Sequence, residues 1–162
     1  MEVAIVSDTH MPRGARALPA ACVERLRAAD LIVHAGDLMT LAVHEQLRGY
    51  GEVVAVHGNA DDAATRGALP ARADLDLEGA RLLVVHNGGP AAGRLERMRR
   101  NYPGADAVVF GHSHIPLHET APDGFQLFNP GSPTEKRRAP VHTMGLAHAR
   151  EGRITFELIT LD

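Results

Sequence analysis

Five short apolar segments of the chain are each followed at once by a loop that carries Asp, His or Asn. The segments are Val3–Val6, Leu31–His34, Val53–Val56, Arg81–Val85 and Ala107–Phe110. Runs of this length, several of them separated by helical patterns, are typical of buried strands joined by βαβ crossovers. Because the carboxyl ends of strands in such sheets gather at one edge, where ligands bind, we expect the five loops to converge.

The remaining segments predict three helices, a hairpin and a final group of strands. The helices are expected over Pro19–Ala29, from Thr40 to Gly49, and over Ala91–Tyr102, and a hairpin is expected at Asp74–Leu77 and Arg81–Val85. The last four strands, Leu117–Thr120, Phe125–Phe128, Val141–Ala149 and Arg153–Ile159, are predicted to form an antiparallel meander. The expected fold is α/β, with two packed mixed β-sheets flanked by helices (an α/β/β/α sandwich) in a single domain over residues 1–162.

The composition excludes several classes of protein. With 44% hydrophobic and 23% charged residues, the chain has the balance of a soluble globular protein, and no apolar run approaches the length of about 20 residues that crosses a bilayer. We expect no secretory signal, because the chain passes from Met1-Glu2 directly into a strand. Cys22 is the only cysteine, which rules out an intrachain disulfide and Cys-rich zinc sites and favours a cytoplasmic location.

Charge and aromatic content argue against nucleic acid as a partner. The formal net charge is −3, aromatic residues make up 4% of the chain and there is no Trp, so neither a basic footprint nor a base-stacking platform is expected. A homo-oligomer is compatible with the sequence. The distinctive feature is instead the ten histidines.

Seven possible metal ligands fall in the loops that follow the strands. They are Asp8, His10, Asp37, Asn59, His86, His112 and His114. One zinc site usually takes four ligands, whereas seven oxygen and nitrogen donors suit two divalent ions about 3.5–4 Å apart that share a carboxylate. Each motif alone is common by chance, but their joint occurrence in this order, each just after a strand, predicts a two-metal centre.

The ordered series D-x-H, G-D, G-N, H and G-H-x-H resembles that of the calcineurin-like metallophosphoesterase superfamily. Asn129-Pro130-Gly131-Ser132 is similar to a segment of its small YfcE-type phosphodiesterase branch. The resemblance implies that Asp8, His10, Asp37 and His114 hold one ion. It likewise implies that Asp37, Asn59, His86 and His112 hold the other, with Asp37 as the bridge.

The implied activity is hydrolysis of a small phosphate ester, most readily a phosphodiester, by water activated between two metal ions. Manganese is the metal that we expect, and iron, zinc, nickel or cobalt would also suit these donors. Asn59 and Arg137 are predicted to contact the phosphate or its developing charge. Ala60 stands where many members of the superfamily carry a His that can protonate the leaving group, so the general acid is not identified. His118 is a more distant candidate.

The sequence leaves alternative roles open for several other residues and for the protein as a whole. His34 and His57 either orient the neighbouring ligands or simply pack in the core. Asp61 and Asp62 are expected to cap the next segment, and Lys136-Arg137-Arg138 is either a solvated turn or a cation source for substrate. The alternative function is a non-catalytic metal-binding scaffold or protein-interaction subunit, since a retromer subunit shares this fold. A serine hydrolase based on Ser113 is rejected because this residue lies between two predicted ligands.

Overall fold

The computed structural model describes residues 1–162, and their strands form two five-stranded sheets. The first sheet has the order β10-β9-β1-β2-β3. Its strands are β1 (Glu2–Val6), β2 (Leu31–His34), β3 (Val53–Ala55), β9 (Thr143–Arg150) and β10 (Arg153–Thr160). Strands β1, β2 and β3 are parallel, and the hairpin β9–β10 adds antiparallel strands at the other side of β1.

The second sheet has the order β4-β5-β6-β8-β7. Its strands are β4 (Arg72–Leu77), β5 (Ala80–Val85), β6 (Ala107–Val109), β7 (Leu117–Thr120) and β8 (Gln126–Asn129). Strands β5, β6 and β8 are parallel, and the antiparallel strands β4 and β7 lie at the two edges. Both sheets are therefore mixed.

Three apolar layers hold the two sheets and their helices together. Side chains alternate across a strand, so Val3 and Ile5 of β1 face the second sheet while Ala4 and Val6 face the helices on the other side. The cluster between the sheets is the largest, and a separate cluster lies beneath α4. This arrangement confirms the predicted α/β/β/α sandwich.

Four helices connect the strands. They are α1 (Ala20–Ala28), α2 (Leu41–Arg48), α3 (Ala63–Ala68) and α4 (Arg94–Asn101), with a short 3-10 turn at Arg13–Ala15. Helix α3 is absent from the sequence prediction because it is short and contains Gly67, but its cap is as expected. The Asp62 carboxylate accepts a 2.8 Å hydrogen bond from the Thr65 N–H.

Two of the sequence predictions are wrong in detail. The last four strands do not form one meander, because β7–β8 belongs to the second sheet and β9–β10 to the first, and β8 pairs in parallel with β6. Apolar alternation identifies a strand but not its partner, so this change of sheet left no signal in the pattern. Helix α4 begins at Arg94 rather than Ala91, since Gly93 before it is in the left-handed region.

None of the helices has the length and apolar character needed to span a bilayer.

Candidate metal centre

The seven predicted ligands lie where the carboxyl ends of strands from both sheets meet. Asp8 and His10 follow β1, Asp37 follows β2, Asn59 follows β3, His86 follows β5, and His112 and His114 follow β6. The loops are joined by backbone hydrogen bonds, from Asp8 N–H to Gly36 C=O (2.9 Å) and from His10 N–H to Asp37 C=O (3.1 Å). The sheets thus bring residues that are distant in sequence to one place.

An inner cluster is formed by Asp8, His10 and His114, and all three are buried. Asp8 Oδ1 lies 3.5 Å from His114 Nε2 and 3.9 Å from His10 Nε2. Asp8 comes from the first sheet and His114 from the second. This cluster offers one carboxylate and two imidazoles to a single point.

An outer cluster is formed by Asp37, His86 and His112, with Asn59 beside it. Asp37 Oδ2 lies 3.2 Å from His86 Nε2. The Asn59 side-chain oxygen lies 3.1 Å from His86 Nε2 and 3.0 Å from His112 Nδ1. His112 is only half-buried, so this cluster faces the exterior more than the inner cluster does.

Asp37 stands between the two clusters. Its Oδ2 atom is 3.4 Å from His10 Nε2 as well as 3.2 Å from His86 Nε2. Its Oδ1 atom accepts a 2.8 Å hydrogen bond from the Ala60 N–H. One carboxylate oxygen therefore contacts imidazoles of both clusters, which is the position that a bridging ligand would need.

Backbone carbonyls fix which nitrogen of two imidazoles faces the centre. His86 Nδ1 lies 2.7 Å from the Ala35 carbonyl, and His114 Nδ1 makes a very short contact with the Glu135 carbonyl. Since a carbonyl can only accept, each Nδ1 carries a proton, and each Nε2 is the nitrogen that faces the centre. Hydrogen bonds of this kind orient metal-binding histidines in known sites.

The buried donor atoms fit a divalent cation. His10 Nδ1, His10 Nε2 and His114 Nε2 are buried and have no hydrogen-bond partner. Buried polar side-chain atoms nearly always have one, because leaving such an atom unpaired costs about 1–3 kcal/mol. A cation bound to the inner cluster would satisfy the Nε2 atoms of both histidines.

Four of the candidate ligands have protonation states at neutral pH that suit metal binding. Burial lowers the pKa of the His114 imidazole to about 4. Burial, and to a smaller extent the nearby His86, also lowers the pKa of His112, so both imidazoles are neutral. Burial alone would raise the pKa of Asp37, but the imidazoles of His10 and His86 hold it well below its usual range. Burial raises the pKa of Asp8 to about 6, so this carboxylate gains most from a neighbouring positive charge.

Two glycines make room for the close approach of the loops. A Cβ atom at Gly36, where φ is +96°, would lie 2.5 Å from His86 Nδ1. A Cβ atom at Gly58 would lie 2.7 Å from the Asp37 nitrogen and would collide with its side chain. The glycines of the G-D and G-N motifs are therefore needed for space beside the outer cluster.

The backbone is left-handed at five of the seven candidate ligands. Their φ values are 56° at Asp8, 45° at His10, 60° at Asp37, 70° at His112 and 62° at His114. Non-glycine residues rarely adopt this conformation, and where they do so the surrounding structure holds them there, most often at functional sites.

Several residues behind the clusters hold the loops in place. His34 is fully buried, accepts a 3.1 Å hydrogen bond from the Gly36 N–H and pairs with the Thr9 hydroxyl at 3.1 Å, so it orients both loops rather than only packing. Asp61 also has this role, since its carboxylate accepts from the N–H groups of Asp37 (3.2 Å), Met39 (2.6 Å) and Gly58 (2.7 Å).

The Asn129-Pro130-Gly131-Ser132 segment ties the two sheets together at the centre. The Asn129 amide donates to the Gly111 carbonyl at 3.0 Å, and the Ser132 hydroxyl donates to the Asp8 carbonyl at 2.8 Å. One end of the segment thus supports the loop after β6 and the other supports the loop after β1.

Glu135 was not predicted from sequence. Its Oε1 atom accepts a 2.9 Å hydrogen bond from Arg16 Nη2, and its Oε2 atom lies 3.8 Å from His10 Nδ1. In the sequence this carboxylate is adjacent to the charge run Lys136-Arg137-Arg138, so its contact with His10 of the inner cluster has no distinct local signal. The only usable signal was its position three residues after Ser132.

The structure separates the other sequence candidates. Arg137 is exposed and does not line the main cavity. The pKa values of His112 and His114 are lowered mainly by burial, and the positive charge of Arg137 is a smaller cause. His118 pairs with Gln126 on the second sheet and contacts the rings of Phe128 and Phe156, away from both clusters.

The largest cavity opens directly beside the outer cluster and measures about 560 Å³. Asn59, His86 and His112 line its inner end, and His57 lies on its wall. Arg66, Arg72 and Tyr102 also line it, and Arg72 pairs with Val85 at the end of β5. A volume of this size is ordinary for a small-molecule site.

Comparison with known proteins relates the chain to phosphoesterases. Residues 1–152 match the calcineurin-like phosphoesterase superfamily domain. A probable metallophosphoesterase of Methanocaldococcus jannaschii is 34% identical over 140 residues, which are 85% of this chain and 70% of that protein.

Solved structures share the fold at lower identity. Wild-type Vps29 of Entamoeba histolytica, complexed with zinc, superimposes with a TM-score of 0.78 at 20% identity and full coverage of both chains. A novel archaeal phosphodiesterase superimposes with a TM-score of 0.74 at 18% identity, over 98% of this chain and 100% of that one.

Proposed function

The chain belongs to the calcineurin-like phosphoesterase superfamily, and on that premise we propose that it is a metal-dependent phosphodiesterase acting on small phosphodiesters. The observation that carries the proposal is the position of Asp37 between two clusters of buried or half-buried imidazoles. In this proposal Asp8, His10, Asp37 and His114 hold one ion, and Asp37, Asn59, His86 and His112 hold the other.

Two divalent ions, when bound by these residues, would supply Lewis acidity and lower the pKa of a bound water molecule. Manganese is our first choice, and the mixed oxygen and nitrogen donors also suit iron, zinc, nickel or cobalt. Asn59 is placed to orient a phosphoryl oxygen at the inner end of the cavity. Arg137 is proposed to reach the same oxygens from the loop after Ser132.

No side-chain nucleophile is required. The Ser113 hydroxyl already accepts from the Asn129 amide at 3.1 Å and from the Ile115 N–H at 3.2 Å, and it does not line the cavity.

A diester is favoured over a monoester because its single negative charge is repelled less by an attacking hydroxide. A cytoplasmic location is part of the proposal, because the single cysteine, Cys22, cannot form an intrachain disulfide.

A non-catalytic scaffold is the second candidate, because Vps29 has the same fold. At 20% identity this likeness concerns the fold alone. The complete set of donors favours the enzyme, since a scaffold would not need a bridging carboxylate next to a cavity that can hold a substrate.

The direct test combines metal analysis with a panel of phosphate esters. We expect close to two divalent ions per chain after incubation with manganese, hydrolysis of bis(p-nitrophenyl) phosphate faster than of p-nitrophenyl phosphate, and loss of activity with a chelator. Absence of bound metal would contradict the proposal. Two bound ions without hydrolysis of any monoester, diester or cyclic nucleotide would favour the scaffold.

A further inference from the structure

The cavity beside the outer cluster extends well beyond the atoms that a scissile phosphate would occupy. One part of its lining consists of Arg66 from the last turn of α3, Arg72 at the start of β4, which pairs with Val85 at the end of β5, and Tyr102 after α4. The Pro70 carbonyl accepts a 2.9 Å hydrogen bond from the His57 N–H, which ties the segment between α3 and β4 to the loop that follows β3. Both arginines are therefore placed by the loop that carries Asn59.

The charged side chains that line the cavity are both positive. Two of the eleven lining residues are arginines and none is Asp or Glu, although the whole chain has a net charge of −3. The Arg66 side chain makes no hydrogen bond or close ion pair, although its charge acts on the exposed Asp62 four residues earlier. A cationic wall without a carboxylate favours an anionic ligand in the cavity.

Arg72 is also available to a ligand. Its only carboxylate neighbour is Asp74, at 3.7 Å, and Asp74 already pairs with Arg81 at 2.6 Å. The guanidinium carbon of Arg72 lies 5.6 Å from the centroid of the half-buried Tyr102 ring, which supports it from one side. A supported guanidinium with a weak internal partner is well suited to bind phosphate oxygens in pairs.

We propose that Arg66 and Arg72 form a second anion subsite, and that the preferred substrates are phosphodiesters that carry another phosphate group beyond the scissile one. This inference rests on the proposed function, since it assigns the substrate class of the same site. A cavity of about 560 Å³ has room for a scissile phosphate, a second phosphate and a group of nucleotide size. The subsite would discriminate against otherwise identical esters that end in a hydroxyl.

Two matched p-nitrophenyl esters test the subsite. Both are p-nitrophenyl esters of thymidine 5′-phosphate, one with a free 3′-hydroxyl and one with a 3′-phosphate. We expect kcat/KM to be about 10–100-fold higher for the bisphosphorylated ester, as two charge-assisted contacts would give. Arg66→Met and Arg72→Met should each reduce this selectivity by about 5–10-fold. Arg100→Met is the matched control, because Arg100 is exposed on α4 and does not line the cavity, and it should retain the selectivity.

A binding measurement separates this inference from the proposed function. Calorimetric titration should show thymidine 3′,5′-bisphosphate binding about tenfold more tightly than thymidine 5′-phosphate, with the preference lost in Arg66→Met. If neither ester is cleaved but this preference holds, the phosphodiesterase proposal fails and the subsite stands. If both esters are cleaved equally well and both nucleotides bind equally, the subsite is overturned while the phosphodiesterase proposal stands.

Discussion

The inner and outer clusters use similar residues in different surroundings. Asp8 and His114 of the inner cluster are fully buried, whereas His112 of the outer cluster is half-buried and lines the cavity. The inner carboxylate has a raised pKa because of burial, while the outer carboxylate, Asp37, is held ionised by the imidazoles next to it. If each cluster binds an ion as proposed, the inner cluster would retain its ion and the outer cluster would present its ion to substrate.

The largest effect is expected from Asp37→Asn, because the Asp37 carboxylate contacts imidazoles of both clusters. We expect activity to fall about 10³-fold or more and metal content to drop below one ion per chain, since several kcal/mol of transition-state stabilisation depend on the ions. Elemental analysis and initial rates with an aryl phosphodiester provide the measurement.

Two matched variants sharpen this test. Asp8→Asn should lose mainly the inner ion and keep about one ion per chain. Asp76→Asn changes an exposed carboxylate on β4 and should behave like wild type. Manganese titration curves that coincide for wild type and Asp37→Asn would show that the two clusters do not share this carboxylate.

The next effect concerns the outer cluster and its missing acid. A positioned general acid contributes about 10²–10⁴-fold in rate, chiefly for poor leaving groups. Ala60 has no acidic side chain, and its backbone N–H already donates to Asp37. Rates for aryl phosphodiesters should therefore fall steeply as the pKa of the phenol rises, and Ala60→His should flatten this dependence. A shallow slope in the wild type, with chemistry shown to be rate-limiting, would mean that another residue donates the proton.

Glu135→Gln tests the retention of the inner ion. The Glu135 carboxylate lies near His10 Nδ1 and is itself held by Arg16, so its loss should weaken the more tightly bound ion about 10–100-fold. Competition with a chelator of known affinity measures the change, and Glu119→Gln, at an exposed position on β7, is the control. An effect confined to the weaker of the two ions would reverse the assignment of the clusters.

The smallest effect on activity is expected for His34, which backs both clusters through Thr9 and Gly36. Burial lowers its pKa from 6.5 to about 3, so the unfolded chain binds a proton between these pH values that the folded chain does not. The metal-free protein should therefore lose stability, on the order of 5 kcal/mol, as the pH falls through this window. Urea unfolding of His34→Gln should show a weaker pH dependence than that of wild type or of His148→Gln, an exposed control. Parallel stability curves would remove His34 from this role.

The strand ends and the ligands that follow them could be predicted from sequence because both signals are local. A short apolar run followed by Gly-Asp or Gly-Asn marks a strand and its loop, and parallel strands bring such loops to one edge. The seven candidates were found in this way, and the structure places them within two adjoining clusters.

The features that were missed depend on contacts between distant segments. Strand β8 inserts between β6 and β7, which no alternation pattern specifies. Glu135 contacts His10 only because the segment after β8 crosses to the loop of β1. Asp61 was expected to cap a helix, and its contacts with three N–H groups in two loops become visible only in three dimensions.

Each cluster takes donors from both sheets, and this makes a bound ion a cross-link. An ion in the inner cluster would join the loop after β1 to the loop after β6. An ion in the outer cluster would join the loop after β2 to the loops after β5 and β6. The sheets could then separate only after the ions had left, so heat inactivation would be governed by ion release rather than by the apolar layer between the sheets. At a free ion concentration 1,000 times the dissociation constant, the gain in unfolding free energy is about 4 kcal/mol per ion. A chelator in the storage buffer would accordingly shorten the working life of the protein even when no substrate is present.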